Sequence, residues 1–284
     1  GGVTRSFLSH MIMRLEREQS VKEYLDIMDH RKTEQLIDTL DKVEQNRKEC
    51  YIREFSIEHF HDSKVFETLI PKICKIFREE NEELTGFENE EILAEYQIYK
   101  TPGYVYMKGN VQIYSAGKQA ADISAFPEGI AVAVGSEEDV PDICPDQTID
   151  KVFTIENLTS FYRFKQEHSL VIYLGGYHNH SRRNLLMQIY QKLPDAQYYH
   201  FGDLDAGGFY ILEHLKRKTG IPFQMFQMDI ETLKKYEDYA KPLTENDKKR
   251  LMQLEKMELP DEERKLITYM LQKGIKLEQE CISE

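Results

Sequence analysis

No stretch of these 284 residues is apolar for long enough to span a bilayer, and no hydrophobic leader follows the start. Membrane and secreted classes are therefore set aside, and a cytoplasmic chain is expected. Cys50, Cys74, Cys144 and Cys281 are scattered without C-x-x-C spacing. That removes a zinc site of the usual spacing and a disulfide framework, leaving ordinary reduced thiols. Internal repeats and low-complexity tracts are missing too. Basic residues are in deficit, with 37 Lys and Arg against 50 Asp and Glu, a formal charge of −13. Nucleic-acid binders are usually basic on at least one face, so this balance counts against that class unless local clusters offset it. Two candidates exist, Arg163, Lys165, Arg182 and Arg183 in one region and Lys216, Arg217 and Lys218 in another; a solvated face is the default reading of both. The start, Gly1-Gly2-Val3, lacks a methionine and reads as processed or truncated.

The length allows a sizeable core and two or more domains. Apolar residues at helical spacing predict helices over 6–28 (Phe7, Met11, Leu15, Tyr24, Leu25, Met28) and 33–47 (Leu36, Ile37, Leu40, Val43). They form either an arm or dimerisation element, as in a homodimer, or a core helix pair. Residues 51–57 alternate like a short strand, and Ser63 is placed to cap a helix over 64–80. Residues 103–114 have a hairpin pattern with Lys108-Gly109-Asn110 as its turn. Helix, strand, helix and hairpin suggest a winged-helix-like unit, with a β-rich linker domain as the alternative. His59, His61 and Asp62 lack a third convincing ligand for a metal. A small strand is expected over 129–134, and the acidic, proline-containing run 135–150 places a domain boundary. The predicted organisation is a helical arm over 1–48, a winged-helix-like α+β part over 49–140, and a catalytic α/β domain over 149–284.

That last part carries the chemistry. Val152-Phe153-Thr154-Ile155 has the composition of a buried parallel strand, and Glu156-Asn157 stands at its end. Residues 169–174 form an apolar run closed by Gly175-Gly176, and a helix follows over 181–193. An aromatic strand then stops at Gly202-Asp203-Leu204-Asp205, and a helix starts near Gly207-Gly208, with Ile211, Leu212 and Leu215 on its buried side. A further strand is expected over 223–228, then helices over 230–239, 245–255 and 261–278. Alternation of this kind predicts a parallel sheet flanked by helices, with Glu156, Gly175-Gly176, Asp203 and Asp205 at one edge. Ligands of open α/β sheets bind at that edge. Two or three carboxylates converging there suit Mg²⁺ or Mn²⁺, and glycines let phosphate or backbone come close. Asp and Gly are also common turn residues, and Asp is a good helix cap, so a purely structural turn remains the alternative.

A Glu after one strand and an Asp-x-Asp after a later one resembles the Toprim domain of topoisomerases, DnaG-type primases and OLD-type nucleases. The fuller wording, V-F-T-I-E-N-L-T-S-F over 152–161, Y-L-G-G-Y over 173–177 and F-G-D-L-D-A-G-G-F-Y-I-L over 201–212, resembles the JetD family of Wadjet, a bacterial anti-plasmid defence system. Residues 55–67 look familiar from the same family. JetD-like proteins are similar to the A subunit of topoisomerase VI, with a DNA-binding region ahead of the Toprim domain.

The resemblance implies a metal-dependent endonuclease that cuts double-stranded plasmid DNA and is activated by an SMC-like motor complex. It carries Glu156, Asp203 and Asp205 as catalytic and metal-holding acids, Glu156 serving as ligand or general base. Asn157, Gly175, Gly176, Gly207 and Gly208 are secondary candidates for supporting the acids or approaching phosphate; the glycines also read as plain turns. The topoisomerase branch uses a tyrosine nucleophile, but Tyr51, Tyr96, Tyr99, Tyr104, Tyr106 and Tyr114 do not stand in an Arg-x-x-Tyr-Tyr context. Water is the expected nucleophile. Tyrosine-dependent cleavage and a non-catalytic scaffold are the alternatives. If acid predominates on every surface, partner subunits must deliver the DNA.

Overall fold

The computed structural model describes residues 2–81, 84, 87–100, 103–134, 141–175 and 180–282. The chain divides into two units, Gly1–Pro102 and Gly103–Glu284.

The first unit holds α1 (Val3–Glu16), α2 (His30–Gln45), β1 (Cys50–Tyr51), α3 (Ile52–Phe60), α4 (Val65–Glu80), α5 (Asn89–Glu95) and β2 (Ile98–Tyr99). Phe7 and Met11 of α1, Leu36, Leu40 and Val43 of α2, and Phe66, Ile73 and Phe77 of α4 are buried. The first N–H groups of a helix lack intrahelical partners. In α1 they are taken by the Glu44 carboxylate of α2, 2.6 Å from Val3 N and 2.9 Å from Thr4 N. So α1 and α2 are core helices of this unit and are not set apart as an arm. The helix expected over 6–28 ends at Glu16, with Glu18 in the left-handed region (φ 56°). The strand expected over 51–57 is mostly α3. Ile52 and Phe55, buried and three apart, lie on one helical face, and the Glu54 side chain accepts from Tyr51 N at 2.8 Å to close the first turn.

The second unit runs β3 (Gly103–Lys108), β4 (Val111–Ser115), β5 (Lys118–Asp122), β6 (Ile130–Val134), β7 (Asp142–Pro145), β8 (Lys151–Ile155), α6 (Leu158–Arg163), β9 (Ser169–Tyr173), α7 (His180–Lys192), β10 (Gln197–Phe201), α8 (Ala206–Thr219), β11 (Gln224–Met225), α9 (Ile230–Lys235), β12 (Lys241–Pro242), α10 (Glu245–Leu254), α11 (Asp261–Lys273) and β13 (Ile275–Lys276). Six strands form one sheet in the order β11-β10-β8-β9-β3-β6. The first four are parallel; β3 is antiparallel to β9, and β6 to β3. The four strands expected to be parallel are so, and β3 and β6, which lie outside the expected set, extend the sheet in the antiparallel sense and make it mixed. Its central strands read as continuous apolar runs because both faces are covered. Val152, Leu170, Ile172 and Tyr198 pack on one side with Leu185, Leu186 and Ile189 of α7. Phe153, Ile155, Val171 and Phe201 pack on the other with Phe161, Leu251, Ile267 and Met270.

The hairpin expected over 103–114 does not form, and with it the winged-helix-like unit loses its wing. Both edges of β3 are taken, by β6 and β9, while β4 pairs with β5 and β7 in a separate three-stranded sheet. Gly109 (φ 141°) carries the chain between the two; a Cβ there would stand 2.6 Å from Ser169 O. Nor is 135–150 wholly a connection, since β7 lies within it and Ile143 is fully buried.

Candidate active site

β8 and β10 are neighbours in register, with Ile155 opposite Phe201. The residues that follow each strand therefore emerge side by side. Glu156 N donates to Phe201 O at 3.1 Å, and Asp203 N donates to Glu156 Oε2 at 3.3 Å. Glu156 and Asp203, 47 positions apart, are thus adjacent at the carboxyl edge. Beyond Asp203 the chain stays extended for one bridge. Leu204 exchanges backbone bonds with Leu277 and buries its side chain, which leaves the aspartates on either side of it half-buried at the edge.

Asp205 is the N-cap of α8: its Oδ1 accepts from Gly208 N at 2.9 Å. Close packing of that helix start on the preceding turn explains Gly208, where a Cβ would sit 2.2 Å from Asp203 O. Gly207 is less constrained, its Cβ meeting only Asp205 Oδ1 at 3.0 Å. Asn157 caps α6, accepting from Ser160 N at 3.0 Å, and donates from Nδ2 to Glu280 Oε1 at 2.6 Å. Gly175 follows β9 in the left-handed region (φ 67°), against the Tyr173 ring, and Leu174 N donates to Ile155 O at 2.8 Å. It shares the edge with the acids as a turn residue. Gly176 lies outside the described residues.

Three residues at this edge were not found by sequence reasoning. Gln279, fully buried, donates from Nε2 to Phe201 O (3.0 Å), accepts from Asn157 N (2.8 Å), and gives its own N–H to Asp203 Oδ1 (2.7 Å). His200 is fully buried beneath the turn. Thr154 Oγ1 donates to Tyr199 O at 3.2 Å, so toward His200 Nδ1 at 3.0 Å it accepts, which makes Nε2 the bare nitrogen. Among the described residues Nε2 has no hydrogen-bond partner. Burial, with the Lys216 charge, pushes that imidazole down to about 3, so it is neutral. Both His200 Nε2 and Glu156 Oε2 crowd Gly202, at 2.8 and 2.7 Å from where a Cβ would stand. Tyr173, at the end of β9, is raised by burial and by the charge of Glu156, which Arg182 opposes. The signal for His200 was a polar residue inside an apolar strand; Gln279 sits in a three-residue turn with no pattern to read.

Of the basic residues, Arg182 reaches the edge, donating to Leu174 O at 2.5 Å. Lys216 is turned inward to Glu213 and buried Glu263 and is not available to a ligand. Cavities of about 650 and 630 Å³ elsewhere are lined by Thr4, His30 and Asp41 and by Lys108, Phe126 and Lys165; neither includes the acids. His59, His61 and Asp62 do not form a metal cluster among the described residues.

The donor set at the edge fits a hard divalent cation. Burial pushes the Asp203 carboxyl up to about 6; the Gln279 N–H opposes this, while the charges of Asp205, Glu280 and Glu278 add to it. A cation would relieve that crowding of negative charge. The arrangement is open and not a closed cage: among the described residues, no three His, Cys, Asp or Glu side chains are gathered for one ion. Mg²⁺ takes one or two carboxylates and keeps its waters, so an open edge suits it better than Ca²⁺ or Zn²⁺.

Fold and edge together define an α/β protein with acids at the carboxyl ends of adjacent parallel strands, and among the described residues no helix is long and apolar enough to cross a membrane. Residues 138–284 match the family described as Wadjet protein JetD, C-terminal, and the chain belongs to that family. It is similar to Wadjet protein JetD of Bacillus cereus (strain Q1), 28% identical over 263 residues that cover 91% of this chain and 63% of that protein. The chain therefore spans less than two thirds of the length of that relative.

Proposed function

We propose that this chain is the Toprim-type catalytic part of a metal-dependent endonuclease that cuts double-stranded plasmid DNA in a Wadjet-type defence system. The observation that carries the reading is the meeting of Glu156 and Asp203 at the ends of β8 and β10, with Asp203 held at about 6. Family membership and the printed name of the relative support the setting. Asp203 and Asp205 would hold Mg²⁺ or Mn²⁺, and Glu156 would serve as a further ligand or as general base. Bound there, the ion supplies charge stabilisation to a phosphodiester and a more acidic water. The chain's own part is to hold the acids. Asp205 is fixed by its cap, Asp203 by Gln279, and Glu156 by Asp203 N. DNA delivery by SMC-like motor subunits and a homodimer addressing two strands belong to the same proposal, since an acidic chain needs help to meet a polyanion.

Tyrosine-dependent cleavage is less well supported. Tyr173, beside Glu156, has its hydroxyl pushed up, the wrong direction for a tyrosinate nucleophile. A non-catalytic scaffold is the remaining alternative, because among the described residues no three acids gather around one point. The deciding experiment is plasmid cleavage in the presence of the partner subunits, with and without divalent metal, comparing wild type with Asp203→Asn. Nuclease chemistry predicts metal-dependent cleavage that the variant loses. Cleavage that survives Asp203→Asn, or a covalent protein–DNA adduct, would refute it.

A further inference from the structure

Glutamine is a residue that chains mostly leave outside, yet Gln279 is wholly enclosed. Three of its hydrogen bonds land on the strand ends that carry the acids, while its carbonyl accepts Ile282 N at 3.0 Å within its own turn. Its side-chain oxygen takes the N–H of Asn157, next to Glu156, and its side-chain nitrogen binds the Phe201 carbonyl, which also receives Glu156 N. Its backbone N–H binds Asp203 Oδ1. Gln279 thus bridges the ends of β8 and β10 from a segment anchored on both sides of it. Leu277 exchanges backbone bonds with Leu204 at 2.9 and 3.1 Å, and Glu280 binds Asn157 Nδ2.

The contact to Asp203 is made by the backbone and engages one carboxylate oxygen, leaving the other to be presented; what the glutamine side chain adds is a clamp on both strand ends that holds that N–H in place. Resting on the reading of Glu156 and Asp203 as cation-binding acids, we propose that Gln279 is a positioning residue that sets their separation and orientation for a divalent cation. It reaches the ion only through them.

The test uses the full chain and Mn²⁺ alone, with free Mn²⁺ read by electron paramagnetic resonance and folding by far-UV circular dichroism. Gln279→Met keeps the bulk and removes the side-chain hydrogen bonds; a tenfold or greater loss of Mn²⁺ affinity is expected, with native secondary structure. Gln279→Asn, milder and one methylene too short to span both strand ends, is expected to lose threefold or more and serves if the first variant does not fold. Leu186→Ala, in the core beneath the other face of the sheet, is the control for general destabilisation and is expected to stay within twofold of wild type. Wild-type affinity in both Gln279 variants overturns the role of Gln279 alone, as does an equal loss in Leu186→Ala. No Mn²⁺ binding by the wild-type chain overturns the reading of the acids, and this inference with it.

Discussion

Replacing Asp203 by Asn should stabilise the metal-free protein, although it removes an acid from the centre of the proposed site. The folded-state carboxyl titrates near 6 against an ordinary 3.8, so the native chain holds this proton more tightly than the unfolded chain does. Between those two values native stability falls as pH rises, and above about 6 the whole penalty is present. At roughly 1.4 kcal/mol per unit the penalty is at most about 3 kcal/mol. Solvent at this half-buried edge screens part of it, leaving about 1–2 kcal/mol. Asn keeps the Oδ1 acceptor for Gln279 N and never ionises. In EDTA at pH 7.5, calorimetry should place the variant's transition about 3–6 °C above wild type. At pH 4.5 the difference should shrink to about a third. Adding Mn²⁺ should narrow the gap by stabilising wild type more than the variant. A variant less stable than wild type at pH 7.5, or a difference indifferent to pH, would show that Asp203 is not under this electrostatic load.

Gly208→Ala sets a Cβ 2.2 Å from Asp203 O, backbone that can yield only by moving the turn. Overpacking should outweigh the roughly 1 kcal/mol of helix propensity gained, for a net loss of about 2 kcal/mol. Gly207→Ala, which meets only a carboxylate tip, should stay within about 1 kcal/mol of wild type in the same denaturation series; equal stabilities would contradict the packing described for α8. Gly202→Ala should displace the Glu156 carboxylate, since its contact at 2.7 Å is the far end of a side chain while His200 is enclosed. Plasmid cleavage with partner subunits should drop tenfold or more while the circular dichroism stays native, and undiminished cleavage would remove Glu156 from the mechanism. Asp205→Ala should lose the α8 cap at about 1 kcal/mol, whereas Asp205→Asn should keep it. If only the charge matters to catalysis, both lose cleavage alike; an active Asp205→Asn would restrict Asp205 to capping.

The second unit's core strands were legible because burial on both faces leaves an unmistakable record: Val152 to Ile155 and Leu170 to Tyr173 have almost no polar residue to interrupt them. Pairing was less so. The pattern over 103–114 alternates as a hairpin would, and nothing local reveals that β3 finds better partners in β6 and β9 than in β4. Those contacts come from strands whose paired residues lie 23 to 67 positions downstream, where only register and packing decide. The same competition turned 51–57 into helix. Its alternation is short, and the spacing of Ile52 and Phe55 serves a helical face once that face has something to cover.

At the site, the acids could be read because two strands of one parallel sheet must bring their carboxyl ends to one edge, and a charged residue immediately after such a strand has few structural excuses. Gln279 obeys no comparable rule. It lies 76 positions beyond Asp203, in a three-residue turn, and its amide is indistinguishable in sequence from the solvated glutamines elsewhere. What marks it is a fully buried side-chain amide whose oxygen and nitrogen are both met by the chain, and burial of that kind depends on the whole chain having folded. The separation has a functional consequence. If Gln279 sets the spacing of Glu156 and Asp203, loss of the segment after Ile275 would disarm the edge while leaving both acids in place, and no inspection of the acids' own motifs would foretell it.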